Sequence, residues 1–366
     1  MGLESEVKAI AREYGAFLVG IASRERLAAA PPSADPAYLL TSTRSIVSFA
    51  IPFDRQVVRD YLAKRDWLGH GADQKRIYRL LYTIADRLAE HLRALGYEAR
   101  GVDANSIYRP EPGGTGRLNA VVRVPDFSHR YGAVAAGLGW PGWSGNLVTR
   151  EYGAAVFLGS VLTSAELAPD PLLAENPCDR CKRCATVCPV EMIDKRDTVA
   201  VTIAGREFSY GKKANNARCL IGCLGYHGLA PDGKWSTWSP YRVDYPLPED
   251  EAELMALSRS LRAADPDMQG NRAGLTERDK SFDANETYVN TCANCALICW
   301  ERPEDRKANQ ELLHGSGVVA LTPDGKRVAV SPDKVVEADT GRGVRVATLS
   351  AALSPAESSF KQVRSG

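Results

Sequence analysis

The chain has 366 residues, 44% of them apolar, and 46 Lys and Arg against 45 Asp and Glu, so its formal charge is +1. This apolar content excludes a globally disordered chain, and the balanced charge gives no overall attraction to nucleic acid or anionic lipid. The sequence also lacks the run of about 20 apolar residues that spans a bilayer and begins with an acidic segment unlike a secretory signal, so we expect a soluble, cytoplasmic protein.

The first half of the chain has the pattern of an α/β (α+β) domain. The first predicted element is an amphipathic helix, with Ser5 placed to cap it and Gly15 to end it. A long helix is predicted over residues 74–95, in which apolar residues recur every three or four positions. A Gly- and Pro-rich stretch at 110–116 predicts a loop. Four apolar runs predict strands, at residues 16–21, 45–51, 120–124 and 154–162.

The second half has a less regular pattern. The polar residues 263–290 show no strong period and predict a surface insertion or lid. The turn sequence at 323–325 separates two β-like runs and predicts a small β appendage, after which the tail at 354–366 is expected to fray. We therefore predict three units, which are an α/β domain at 1–170, a cysteine-bearing domain at 171–310 and a β-rich extension at 311–366.

All nine cysteines lie between Cys178 and Cys299. The spacing C-x2-C-x2-C-x3-C-P over residues 178–189 is that of bacterial ferredoxins, in which three cysteines hold one iron–sulfur cluster and the fourth holds a second. A lone Cys219 and the run C-x2-C-x3-C at 292–299 complete eight ligands. The ferredoxin pattern predicts two crossed [4Fe–4S] sets, one of Cys178, Cys181, Cys184 and Cys299 and the other of Cys188, Cys219, Cys292 and Cys295.

Zinc is the alternative for such a cysteine group, but zinc sites favour pairs of C-x2-C knuckles, so we favour two clusters. The ninth cysteine, Cys223, is interpreted as a buried structural thiol, with a reactive or ligating role as the alternative. The cations Arg180, Lys182 and Arg183 lie between the first ligands. They either offset the negative charge of a cluster or dock an acidic electron donor.

Residues 137–142 match G-x-G-x-x-G, the dinucleotide-binding fingerprint. The context does not fit, because a helical segment precedes the glycines and Pro141 and Gly145 break any helix after them. We therefore expect a backbone-exposing loop whose amides approach a large flat or anionic ligand.

The segment AGLGWPGWSGNLVTREYG at 136–153, followed by VFLGSVLT and the cysteine pattern, resembles the cobalamin-dependent iron–sulfur reductases. That group contains the epoxyqueuosine reductases and the reductive dehalogenases. GIAS at 20–23 and STRSIVSFAIPF at 42–53 also resemble the N-terminal part of epoxyqueuosine reductases, so the similarity spans residues 15–300. The resemblance implies a nitroreductase-like α/β domain that holds a base-off cobamide (cobalamin) beside a dicluster ferredoxin-like domain. The implied cobamide-binding residues are Gly137, Leu138, Gly139, Trp140, Gly142, Asn146, Tyr152 and Gly153.

Reduction of a substrate needs a proton donor as well as electrons. In epoxyqueuosine reductases an aspartate upstream of the AGLGW motif has that role, and Asp126 is the nearest match, although a turn residue after Pro125 is an equal alternative. Dehalogenases use a tyrosine with a basic neighbour. The candidates of that kind are Tyr108 with Arg109, and Tyr131 with Arg130.

The resemblance implies an oxidoreductase in which electrons pass from a ferredoxin or flavodoxin through two clusters to the corrinoid. Our main hypothesis is a cytoplasmic reductase of a small-molecule substrate, with no membrane partner. The alternatives are an epoxyqueuosine reductase acting on tRNA, which the near-neutral charge disfavours, and a non-catalytic electron-transfer or corrinoid-activating protein.

Overall fold

The computed structural model describes residues 2–104, 109, 124–264, 291–341 and 343–350. The α-helices of these residues are α1 (Leu3–Glu13), α2 (Arg55–Leu62), α3 (Leu68–Ala94), α4 (His129–Ala135), α5 (Arg183–Thr186), α6 (Asn216–Cys223), α7 (Glu251–Ala264), α8 (Asn294–Leu297) and α9 (Pro303–His314). The strands are β1 (Leu18–Ser23), β2 (Ser45–Pro52), β3 (Ala99–Val102), β4 (Trp140–Pro141), β5 (Leu147–Val148), β6 (Val156–Thr163), β7 (Ile193–Ile203), β8 (Arg206–Lys213), β9 (Tyr241–Arg242), β10 (Val318–Leu321), β11 (Arg327–Val330), β12 (Val335–Asp339) and β13 (Arg345–Leu349).

The N-terminal half is built on a four-stranded sheet in the order β1-β2-β6-β3, in which every neighbouring pair is antiparallel. Val47, Phe49 and Ile51 of β2 belong to the core that contains the apolar face of α3. Ile46 and Ala50 belong to a second core with α4. Successive residues of a strand point to opposite faces, so the unbroken apolar run of β2 reflects a strand covered on both sides.

Three of the predicted strands are confirmed with shifts of one or two residues at their ends, at β1, β2 and β6. The result is a mixed α/β fold, as the sequence pattern predicted. The predicted loop at 110–116 and all but the last residue of the predicted strand at 120–124 lie outside the described residues.

Two helix starts differ from their predictions. Helix α1 begins at Leu3 with Gly2 as its N-cap, so the prediction that Ser5 caps it is wrong. Helix α3 begins at Leu68, six residues before the predicted start at residue 74. A tertiary contact holds this added turn, because the buried carboxylate of Asp73 accepts a hydrogen bond of 2.9 Å from the Asp54 amide. Hydrophobic periodicity does not reveal a turn held by polar contacts.

His70, in the first turn of α3, gives this half of the protein a pH-dependent stability. Its ring is buried between Phe53 and Tyr61, at centroid distances of 5.2 and 4.2 Å, and burial lowers its pKa from 6.5 to about 4. Below pH 6.5 the unfolded chain takes up a proton that the folded chain resists, so stability is lost as the pH falls towards 4. This histidine alone accounts for a loss of about 3 kcal/mol.

The substitution His70→Phe is therefore expected to reduce the loss of stability between pH 7 and pH 4.5 while keeping the aromatic contacts. Urea unfolding at the two pH values measures this, with the wild-type chain as control. Equal losses in both proteins would contradict the assignment.

The second half carries the cysteines on short helices and loops beside the β7–β8 hairpin. The predicted hairpin around residues 323–325 is confirmed as β10 and β11, and Gly325 supplies the positive φ of +79° that its turn needs. These strands form a sheet in the order β11-β10-β13-β12, to which β9 also pairs through β13. The cysteine-bearing segment thus contributes to the C-terminal sheet, and the domain limits at 170 and 310 stay predictions.

Helix α7 runs through Ala264, so it includes the first two residues of the predicted insertion at 263–290, and residues 265–290 lie outside the described residues. The predicted tail at 354–366 lies outside them as well. Within the described ranges, no helix is both long enough and apolar enough to cross a membrane.

Candidate metal centre

Four cysteines from two distant parts of the chain line one cavity, which we call the first thiol cavity. They are Cys178, Cys181, Cys184 and Cys299. Arg180 and Lys182, which alternate with these cysteines, have φ values of +56° and +59°. Such left-handed turns at non-glycine residues are uncommon, and here they curl the loop so that the cysteines share one cavity. Burial, followed by the charges of four neighbouring cysteines, raises the pKa of Cys184.

Cys299 reaches this cavity because Gly153 lets the two segments approach closely. The Cys299 carbonyl accepts a 2.7 Å hydrogen bond from the amide of Ala154. A Cβ atom at Gly153 would lie 2.1 Å from the same carbonyl oxygen, and Gly153 has a φ of +60°. The glycine of the Tyr-Gly motif therefore secures the last cysteine against the α/β half.

The other four cysteines also converge, and they are called the second thiol set. They are Cys188, Cys219, Cys292 and Cys295. Burial is the main cause of the raised pKa of Cys292, and the charges of the other three members raise it further. The pKa of Cys188 rises to about 12, again mainly through burial and with contributions from Cys295 and Cys219. Cys184 also interacts electrostatically with Cys295, so the two groups are adjacent, and the crossed assignment of ligands stays a prediction.

Three sulfur atoms accept hydrogen bonds from nearby polar groups. The amide of Trp143 donates to Cys178 Sγ over 3.4 Å, and the amide of Met192 donates to Cys188 Sγ over 3.3 Å. The side-chain amide of Asn146 donates to Cys295 Sγ over 3.5 Å. Hydrogen bonds to sulfur are one way in which a protein sets the potential of an iron–sulfur cluster. The loop that carries Trp143 and Asn146 therefore contacts both thiol groups.

The two thiol groups fit [4Fe–4S] clusters in ligand type and number, because each cluster takes four cysteine thiolates. Among the described residues, no group of three or more His, Cys, Asp or Glu side chains is arranged to hold a single metal ion. Burial raises the pKa of Cys184, Cys188, Cys292 and Cys299, so a metal centre that binds these thiols would displace protons.

The glycines of the loop at 137–142 are used for internal packing. A Cβ atom at Gly137 would lie 2.1 Å from the Pro171 carbonyl oxygen, and one at Gly139 would lie 2.4 Å from that of Val148. The amides of Gly137, Leu138 and Gly142 donate to carbonyl groups of this chain. These three amides therefore pair within the chain, and the close approaches at Gly137 and Gly139 are between parts of the chain itself, whereas the cobamide-binding role of the loop stays a prediction.

The segment around Gly145, which follows this loop, lies next to a pair of phenols. The hydroxyls of Tyr131, on α4, and Tyr210, on β8, are 3.0 Å apart. A Cβ atom at Gly145 would lie 3.3 Å from atoms of both Tyr210 and Lys213. Lys213 interacts electrostatically with Arg130 and with three cysteines of the second thiol set, and burial is the main reason that its pKa falls to about 8. Burial, reinforced by the hydrogen bond to Tyr210, raises the pKa of Tyr131, so its phenol stays protonated at neutral pH.

The remaining predicted catalytic residues have different surroundings. The backbone carbonyl of Asp126 accepts a 3.1 Å hydrogen bond from Arg109, whose guanidinium also lies over the ring of Tyr38, so Arg109 holds two loops together. Arg130 is exposed, and Tyr108 lies outside the described residues. The predicted pair of Tyr108 and Arg109 therefore remains a prediction, whereas Tyr131 has a second phenol and a lysine close by.

Three charged or phenolic residues of this region were not anticipated from the sequence. Tyr210 and Lys213 are on β8, and Arg306 on α9 lines the first thiol cavity. The alternating polar and apolar residues of β8 were a detectable strand signal, but nothing local indicates which face meets α4. No motif marks Arg306 either, since an arginine in a polar helix normally faces solvent.

Trp140, which lies within the glycine motif, and Trp143, which follows it, both pack against other residues of the chain. Trp143 is buried, and its indole N–H donates to the Asp194 carbonyl over 2.8 Å. Trp140 is partly buried, and its indole N–H donates to the Leu173 carbonyl over 2.9 Å. Of the cations predicted near the first ligands, Lys182 lies over the Trp143 ring at 4.5 Å, and both Lys182 and Arg183 line the first thiol cavity.

The chain is 32% identical to the epoxyqueuosine reductase of Gloeobacter violaceus over 198 residues, which are 50% of this chain and 59% of that protein. An epoxyqueuosine reductase solved with a modified tRNA stem loop is 18% identical, with a TM-score of 0.39 and coverage of 63% of this chain and 59% of that one. A catabolic reductive dehalogenase is 16% identical, with a TM-score of 0.45 and coverage of 84% and 33%. No protein-family model matches the chain.

The chain spans less than two thirds of the length of the curated relatives it matches, such as the proteins of Gloeobacter violaceus and Bacillus anthracis. Both of these proteins are epoxyqueuosine reductases, which are oxidoreductases by name. This relationship, found from sequence alone, agrees with the resemblance carried by residues 136–153 and the cysteines. The chain is therefore similar in sequence to epoxyqueuosine reductases, which agrees with the resemblance to the cobalamin-dependent iron–sulfur reductases.

Proposed function

We propose that this protein is a cobamide- and iron–sulfur-dependent reductase whose substrate is epoxyqueuosine in tRNA. One observation carries the proposal. Two groups of four cysteines converge on a loop that also contacts a pair of hydrogen-bonded phenols. Electron carriers and proton donors are the two requirements of a reductase, and here they lie on either side of one loop.

The cysteines would hold two [4Fe–4S] clusters, one in the first thiol cavity and one at the second thiol set. Bound clusters supply single electrons, and a base-off cobamide at the loop of residues 137–153 would supply the strongly reducing centre that meets the substrate. Cys181 and Cys219 are exposed, so each set has one ligand near the surface. A ferredoxin or flavodoxin would deliver electrons there, which together with a tRNA substrate implies action in the cytoplasm.

Tyr131 would hold the proton that the reduction consumes. Reductive removal of an epoxide oxygen as water takes two electrons and two protons. The partly buried, protonated Tyr131 phenol is able to donate one, and Tyr210 is placed to hydrogen-bond the phenolate that remains. The charge of Arg130 favours the ionised form of Tyr131 and would stabilise that phenolate. Asp126 is the second candidate for the proton donor.

Exposed cations near this site support a polyanionic substrate. Arg130 is exposed next to Tyr131, and Lys195, Arg196 and Lys212 are exposed where β7 and β8 pair at the Lys213 end. Asp194 and Asp197 offset part of this charge, and the remaining positive excess attracts phosphates even when the whole chain is nearly neutral. This local charge favours the tRNA alternative over the small-molecule hypothesis, as do the names of the sequence relatives.

A small-molecule substrate is the second candidate function. The observation in its favour is the Arg130–Tyr131 pair with its second phenol, which matches the tyrosine and basic neighbour expected of dehalogenases.

One assay separates the two functions. Anaerobically reconstituted protein with cobalamin and a chemical reductant is incubated with tRNA that contains epoxyqueuosine, or with a panel of aryl halides. Mass spectrometry of digested nucleosides should show queuosine formation at a rate above the protein-free control. Halide release with no change in the tRNA would favour the second function, and no reaction with either substrate would overturn both.

A further inference from the structure

Arg306 is a buried cation in the wall of the first thiol cavity. Its side chain is on α9, it is 3% exposed, and it lines the cavity together with the four cysteines. An arginine is rarely this deeply buried unless it is paired or has a specific role, because removing its charge from water is costly.

Protein groups accept hydrogen bonds from only two of the three nitrogen atoms of the Arg306 guanidinium. One terminal nitrogen donates to the carbonyls of Trp300 and Glu301, at 2.9 and 3.1 Å. The other donates to the carboxylate of Asp179 over 2.6 Å. The remaining group, Nε, is buried and has no hydrogen-bond partner among the described residues. A buried donor without a partner costs about 1–3 kcal/mol and calls for an explanation.

The charge of Arg306 acts on the cysteines of this cavity. It opposes the effect of burial on both Cys181 and Cys299 by favouring their thiolate forms. Asp179 has the opposite effect on Cys181. The two acidic groups of the same helix turn, Glu304 and Asp305, are already paired with Arg302, and Asp305 is also paired with Arg59. Arg306 and Asp179 are therefore a pair of opposite charges at the edge of the site.

We infer that Arg306 is a positioning residue that sets the reduction potential of the cluster held by Cys178, Cys181, Cys184 and Cys299, with its unpaired Nε–H directed to that cluster. This inference rests on the proposed function. Reduction adds one negative charge to a cluster that is already anionic, and a nearby cation stabilises the reduced form. Arg306 therefore raises the potential of the first cluster and leaves the second nearly unchanged.

The test is a redox titration of the reconstituted full chain followed by electron paramagnetic resonance. Arg306→Met should shift the potential of one cluster to a more negative value while the iron content stays at the wild-type level. Arg306→Lys should recover part of the shift because it retains the charge. The matched control is Arg302→Met, which removes an exposed arginine from the same end of the helix and should move neither potential. The Cys188→Ala background assigns the shifted signal to the first cluster.

Asp179→Asn provides an independent variant if Arg306→Met does not fold or take up iron. Loss of this negative charge should shift the same cluster to a more positive potential. Unchanged potentials in variants with full iron content would overturn the inference alone, as would equal shifts in Arg306→Met and Arg302→Met. Wild-type protein that takes up no iron would instead overturn the proposed function and this inference with it.

Discussion

Replacing Cys181 and Cys299 together is expected to remove no more iron than replacing either residue alone. Both line the first thiol cavity, so either single alanine substitution should already remove one cluster and lower the iron content from about eight to about four atoms per chain. Replacing Cys188 and Cys299 together should remove both clusters, because the crossed pattern assigns these cysteines to different sets. Iron analysis and the resonance spectrum of the reduced protein measure the outcome.

The ninth cysteine provides the control for this experiment. Cys223 is partly buried on α6 and interacts electrostatically with Tyr61, as Cys292 does, and the predicted ligand sets do not include it. Cys223→Ala should keep the full iron content, and a loss of half the iron would identify it as a ligand. An uncrossed arrangement would be revealed if Cys181 and Cys299 together removed all the iron.

Tyr131→Phe is expected to slow turnover by about 10²- to 10⁴-fold while cluster content and cobalamin binding stay at wild-type levels. This is the usual contribution of a positioned general acid. The phenylalanine ring preserves the packing and removes only the hydroxyl that contacts Tyr210. Single-turnover assays with a chemical reductant measure the change in rate, and optical titration measures cofactor binding.

Two further variants distinguish the role of Tyr131 from that of its neighbours. Tyr210→Phe should cause a smaller loss, because it removes the hydrogen-bond partner and leaves the donor in place. Asp126→Asn should slow turnover only if the aspartate is the donor instead. A full rate in Tyr131→Phe together with a large loss in Asp126→Asn would contradict the assignment to Tyr131 and transfer it to Asp126.

The buried strands β1, β2 and β6, the long helix α3 and the hairpin at 323–325 were predictable because each depends on a local pattern. The apolar run of β2 and the Pro-Asp-Gly turn need no information from distant residues. The early start of α3 was not predictable, since it depends on the contact between Asp73 and the amide of Asp54. A hydrogen bond between elements leaves no periodic trace in the sequence.

The cysteine spacing by itself predicted two groups of four thiols, because ferredoxin-type ligation assigns ligands by short, characteristic intervals, and the four cysteines of the first group line one cavity. Tertiary structure alone decided what surrounds those thiols. Arg306 lines the first thiol cavity from a helix more than a hundred residues after Cys178, and Tyr131 meets Tyr210 only because α4 packs beside β8. The glycines of residues 137–142 had the right spacing for a ligand loop, yet close backbone packing explains them. Contacts of this kind depend on how whole elements pack, and a local sequence pattern carries no record of that packing.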